Sequence, residues 1–179
     1  MKKLIIIVAL VTFISGFSQK KITITNLTNS PMKIYGIRTK PTTGTYPYCY
    51  GYSFALYAGQ SYTLVNNLST TKFPFYSSPN SLPPVISNLN WTRQNSATSA
   101  LVNQTGVNLW NNIFAASQNF NFLDFSIGTI NGVGGIAGSI GVSTLNGQIL
   151  GNGWEAYCDV YPATPGNPIA ETTITFINP

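Results

Sequence analysis

Asn146-Gly147-Gln148-Ile149-Leu150-Gly151-Asn152-Gly153-Trp154-Glu155-Ala156-Tyr157-Cys158-Asp159-Val160-Tyr161 is the stretch on which the fold turns. It carries two Asn-Gly pairs, and Asn131-Gly132 precedes them. Both central residues of a type I′ turn need positive φ, so Asn-Gly between alternating runs is a strong hairpin signal. The three pairs divide Asn119 to Tyr161 into a meander of short strands. After the last pair, Trp154, Ala156, Cys158 and Val160 share one parity, and Glu155, Tyr157, Asp159 and Tyr161 share the other. A strand's period of two sends these sets to opposite faces.

The same alternation recurs outward along the chain. It is found in Ile22–Thr25, in Met32, Ile34 and Gly36, in Phe54 and Leu56, in Tyr62 and Leu64, in Phe120 and Phe122, and in Ile174 and Phe176. Many short strands with frequent turn signals predict an all-β chain: a single antiparallel β-sandwich of jelly-roll or Ig-like type. Ile22–Thr25 and Thr173–Phe176 have matching patterns, which places the terminal strands close together. One helix is expected near 107–117, where Leu109, Trp110, Ile113 and Phe114 have helical spacing. Proline-rich Pro74–Pro84 and Pro162–Pro168 read as loops.

Residues 1–18 read as a cleaved signal peptide. Lys2 and Lys3 precede the apolar run Leu4–Ile14, and Gly16 and Ser18 supply the small residues a signal peptidase accepts. That run would span roughly 16 Å as a helix, short of the ~30 Å hydrocarbon core. The Phe17-Ser18-Gln19 ending resembles signal peptides of the Bacteroidota, where glutamine often starts the mature chain. The expectation is an exported protein, in the periplasm, at the cell surface or extracellular, with residues 19–179 as one domain.

Beyond residue 18 the cations are Lys20, Lys21, Lys33, Arg38, Lys40, Lys72 and Arg93, against Asp124, Glu155, Asp159 and Glu171. Seven scattered cations do not make the clustered stripe a nucleic-acid partner needs. The chain has no histidine, which removes Ser-His-Asp, Cys-His and histidine-zinc chemistry. Gly132-Val133-Gly134-Gly135-Ile136-Ala137 matches a dinucleotide fingerprint by letter. Gly138, Gly141 and Val142 follow where that motif requires a helix, so the run reads as a strand and turn and no cofactor is expected. Glu155 and Asp159 would stand roughly 13 Å apart along one strand face, too far for most glycosidase pairs. No enzyme activity and no metal site are expected.

Cys49 and Cys158 are expected to form a disulfide, the default for two cysteines in an exported chain. It would close a loop of about 110 residues. In Thr45-Tyr46-Pro47-Tyr48-Cys49-Tyr50-Gly51-Tyr52, the four tyrosines share a parity opposite to Cys49. A core disulfide would push Tyr46, Tyr48, Tyr50 and Tyr52 outward, together with Glu155, Tyr157, Asp159 and Tyr161. If it joined strands of one sheet the two rows would merge into one surface; if it joined facing sheets they would lie on opposite outsides. Flat aromatic rings beside hydroxyls and carboxylates suit sugar recognition. These eight residues are the expected ligand site of a non-catalytic binding or adhesion module with a glycan or cell-surface partner. The alternatives are a structural or accessory subunit of a bacterial cell-envelope assembly, and a membrane-active β-sandwich in which Leu101–Phe114 or Ser126–Gly153 rearranges.

Overall fold

The computed structural model describes residues 19–51, 53–66, 70–76, 90–144, 147–164 and 166–179. The expected signal peptide lies outside the described residues, as does Tyr52. Alternating burial produces twelve strands among the described residues: β1 (Gln19–Asn26), β2 (Met32–Pro41), β3 (Tyr48–Gly51), β4 (Phe54–Leu56), β5 (Ser61–Val65), β6 (Asn90–Gln94), β7 (Val102–Thr105), β8 (Gln118–Ile127), β9 (Ile136–Gly141), β10 (Gln148–Leu150), β11 (Glu155–Tyr161) and β12 (Ile169–Ile177). They form two sheets. One has the order β10-β11-β12-β1-β5; the other runs β7-β6-β3-β2-β8-β9, with β4 also paired to β2. Their inner faces meet in one apolar core, where Phe125 of the larger sheet packs edge-on against Phe176 at 4.7 Å and Trp154 at 5.5 Å. The architecture is therefore all-β and sandwich-like; the strand order by itself assigns neither the jelly-roll nor the Ig-like connectivity.

The terminal strands are hydrogen-bonded neighbours, as their matching patterns implied, but they run parallel, with Ile24 opposite Ile174. This is one departure from a purely antiparallel sandwich. The expected meander is divided between the two sheets. Asn131-Gly132 lies in the β8–β9 connection and Asn152-Gly153 in the β10–β11 connection, with Gly132 and Gly153 at φ 79° and 76°. Gly147, at φ 62°, instead lies where the chain crosses from one sheet to the other between β9 and β10. The glycine-rich run forms turn and strand, and Gly138 lies so close to the Phe125 ring that a Cβ would meet Cζ at 2.6 Å.

The helical segment is split into α1 (Gly106–Asn111) and α2 (Phe114–Ser117). Thr105 caps the first by accepting from the Asn108 amide at 3.1 Å, and extended Asn112 ends it. Trp91 Nε1 donates to the Phe75 carbonyl at 2.7 Å, which pins Phe73 and Phe75 to the core.

No disulfide forms: Cys49 and Cys158 are free, buried thiols. Cys49 lies in the larger sheet opposite Thr39 and Arg93, and Cys158 in the smaller one opposite Ile174. A disulfide needs Cβ atoms about 3.5–4.5 Å apart, and the cysteines occupy places on separate sheets that do not meet. Each fills its site as a small apolar side chain instead.

Candidate functional site

Two irregularities in the β2–β8 pairing shape the outer face of the larger sheet. The register shifts between Ile34 and Gly36 and again between Arg38 and Thr39. Before the first shift, buried Met32 and Ile34 face the core; after it, Ile37 and Thr39 do. An extra residue reverses which parity points inward. Arg38, which unbroken alternation would bury with Ile34, is thus delivered to the outer face, and Gly36 no longer shares a face with Ile34.

On that face Arg38 is the cross-strand partner of Tyr50, which is itself opposite Thr92. The Arg38 guanidinium contacts Asp124 Oδ2 at 2.5 Å through both Nε and Nη2. Its Cζ lies 5.9 Å from the centre of the Tyr50 ring. That ring covers Gly36 so closely that a Cβ there would meet Tyr50 Cζ at 2.3 Å. Gly36 is the bare floor on which the tyrosine lies, a role only a residue without a side chain can fill. Tyr48, opposite Gln94, completes the group.

The electrostatics follow from this packing. Burial and the Asp124 charge hold the Tyr48 and Tyr50 hydroxyls above the ordinary tyrosine value, with Arg38 working the other way. Both remain neutral hydrogen-bonding groups at physiological pH. For Arg38, burial opposes the charge, but the hydrogen bond and charge of Asp124 outweigh it and raise the guanidinium above its usual value. The arrangement offers ring surface, phenolic hydroxyls, a carboxylate and a guanidinium on one side of one sheet.

The expected tyrosine row is shorter than its sequence pattern. The strand begins at Tyr48, and Tyr46 precedes β3, where it is exposed. Tyr52 falls outside the described residues. Glu155, Tyr157, Asp159 and Tyr161 point away from the core on β11, with Ala156 and Cys158 buried between them. They belong to the other sheet, so the two rows occupy opposite outsides and do not merge. Tyr157 donates to Glu155 and accepts from Gln148 Nε2 at 3.1 Å, which ties those groups to one another. Asp159 and Tyr161 are exposed.

Arg38, Asp124 and Gly36 were absent from the sequence-derived site. Their signal was the crowding of an Arg, a Gly and two tyrosines into neighbouring strands, but the register that joins them is set by two bulges. Among the described residues no three His, Cys, Asp or Glu side chains converge as a metal site would require. Asp124 stands on a different sheet from Glu155, Asp159 and Glu171. No described helix is long and apolar enough to cross a membrane. Comparison with family models, with curated proteins and with solved structures finds no match to this chain.

Proposed function

We propose that this protein is an exported, non-catalytic binding module that recognises neutral or weakly polar glycans on the outer face of its larger sheet. The observation that carries the reading is the Tyr50 ring packed against Gly36 beside the Arg38–Asp124 ion pair. Pyranose rings present apolar C–H faces that stack on such rings, and their hydroxyls hydrogen-bond to fixed carboxylate, guanidinium and phenol groups. Tyr48 extends the surface, and Tyr46, two residues before it in the chain, is exposed. Of the eight residues the sequence nominated, Tyr46, Tyr48 and Tyr50 belong to this site. Glu155, Tyr157, Asp159 and Tyr161 form a separate and more polar face. The test is a glycan array with the purified protein, followed by NMR on tyrosine ring signals with any sugar retained. Ring shifts confined to Tyr48 and Tyr50 support the reading; an array with no retained glycan refutes it.

A second reading, a subunit of an envelope assembly, is favoured by β9. Among the described residues this strand ends its sheet, and it bears Ile136 half exposed. Such an edge can accept a strand from a partner chain. Stable co-purification with an envelope protein, lost on placing proline in β9, would favour it over glycan recognition.

A further inference from the structure

At one end of the sandwich the two sheets part and leave a cleft of about 260 Å³. Ile22, Phe73, Phe120, Val142, Val160 and Pro162 give it apolar walls. Val160 shows why the cleft is open: it shares the inward face of β11 with buried Ala156 and Cys158, yet it is 54% exposed. The inner faces diverge before the last row of side chains can be covered.

A cation projects into this gap. Lys20 has the parity of buried Ile22 and Ile24 and therefore points inward from β1. Its ammonium donates to the Gln118 carbonyl at 2.5 Å, across to the other sheet. Burial in these apolar surroundings pulls it down to about 8. The neighbouring charges are already matched: Lys21 pairs with Glu171 at 2.8 Å, and Glu171 also accepts from Thr23 at 3.2 Å. Tyr161, at the end of β11, borders the cleft. Glu171 also lines the cleft, but its charge is taken by Lys21, and Lys20 is thus a half-buried ammonium that forms no salt bridge among the described residues.

The geometry points to this cleft as a binding site for a small amphipathic monocarboxylate, its acid group on Lys20 and its apolar body against Phe73, Phe120 and Val160. An unmatched cation at the head of an apolar slot selects a single negative charge, because a buried ammonium without a counterion is costly and a charge-assisted hydrogen bond relieves it. A cleft of about 260 Å³ accommodates the body of a short acid such as octanoate. The site is independent of the tyrosine face, which lies on the outside of the larger sheet.

The experiment titrates the purified protein with octanoate, with octanamide of equal length and no charge, and with palmitate. Saturable octanoate binding is expected, with octanamide and the Lys20→Met variant each weaker by roughly tenfold or more. Lys20→Arg should restore most of the octanoate affinity, and palmitate should bind no better than octanoate. NMR shifts on octanoate should fall on Phe73, Phe120 and Val160. Absence of octanoate binding overturns the inference. So do equal binding of octanamide, undiminished binding by a folded Lys20→Met variant, or shifts that map to Tyr48 and Tyr50. If Lys20→Met fails to fold, the octanamide comparison and the shift map decide.

Discussion

Arg38 and Asp124 meet at 2.5 Å on the outer face of the larger sheet, diagonal partners on β2 and β8 whose register depends on the bulge after Ile34. The Asp124 side chain is only 13% exposed and that of Arg38 38%. The pair lies between the surface case, worth about 0–1 kcal/mol, and the buried case, where loss of one partner costs several. Asp124→Asn should therefore lower stability by about 1–2 kcal/mol in urea denaturation. No measurable loss would mean that the pair is solvated and does not anchor the tyrosines.

Gly36→Ala should be more disruptive than its size suggests. The new Cβ would lie 2.3 Å from Tyr50 Cζ and 2.5 Å from the Gly51 carbonyl oxygen. The ring can swing away, but the carbonyl belongs to the paired strand. A loss of roughly 1–3 kcal/mol is expected, with Tyr50 ring signals moved in NMR spectra. Unchanged Tyr50 signals would contradict the packing of its ring against Gly36.

The two thiols should behave as core side chains. Burial pushes both Cys49 and Cys158 up to about 11, so neither supplies thiolate at neutral pH. Alkylation by iodoacetamide should be slow in the native protein and complete for both in denaturant, with equal masses before and after reduction. Because their folded values lie above the ordinary thiol value of 9.0, their contribution to stability is intact below about pH 9 and declines as pH rises toward 11. A mass two hydrogens lower before reduction would restore the disulfide.

Lys20 has the opposite pH signature. Its ammonium is lowered from 10.5 to about 8, so between these values the unfolded chain holds a proton that the folded one has released. Stability from this group rises with pH across that window, and the charged form is held at a cost below it. Lys20→Met should gain stability relative to the parent at pH 7, and the gain should shrink by pH 10. A difference independent of pH would show that the ammonium remains solvated.

Local alternation in the sequence carried the faces of the strands well. Tyr48 and Tyr50 lie opposite buried Cys49, and Glu155 and Tyr157 opposite buried Ala156 and Cys158, although the disulfide from which those faces were argued does not exist. The parities survive because a cysteine is buried as readily as a small apolar residue as it is in a bridge. What alternation could not supply is register between distant strands. The bulges in β2–β8 put Arg38 outside, and the parallel β1–β12 pair and the sheet crossing at Gly147 decide which rows are neighbours. The cleft was hidden for the same reason, since its walls come from segments far apart in the chain. Lys20 left a trace: it shares the parity of Ile22 and Ile24. Buried polar junctions escaped as well. Asn26 donates to the Ser30 and Leu56 carbonyls, and Gln118 joins Thr39 to Pro47. Neither has a periodic signature.

The central claim is that Tyr48 and Tyr50 form a glycan-stacking surface, and calorimetry on the Tyr48→Ala/Tyr50→Ala variant tests it most directly. With a glycan retained by the parent protein, the double variant should lose roughly tenfold or more in affinity, while Tyr157→Ala/Tyr161→Ala on the opposite sheet should bind as the parent does. Equal binding by the folded Tyr48→Ala/Tyr50→Ala variant, or a loss confined to the Tyr157 and Tyr161 variant, would contradict the account.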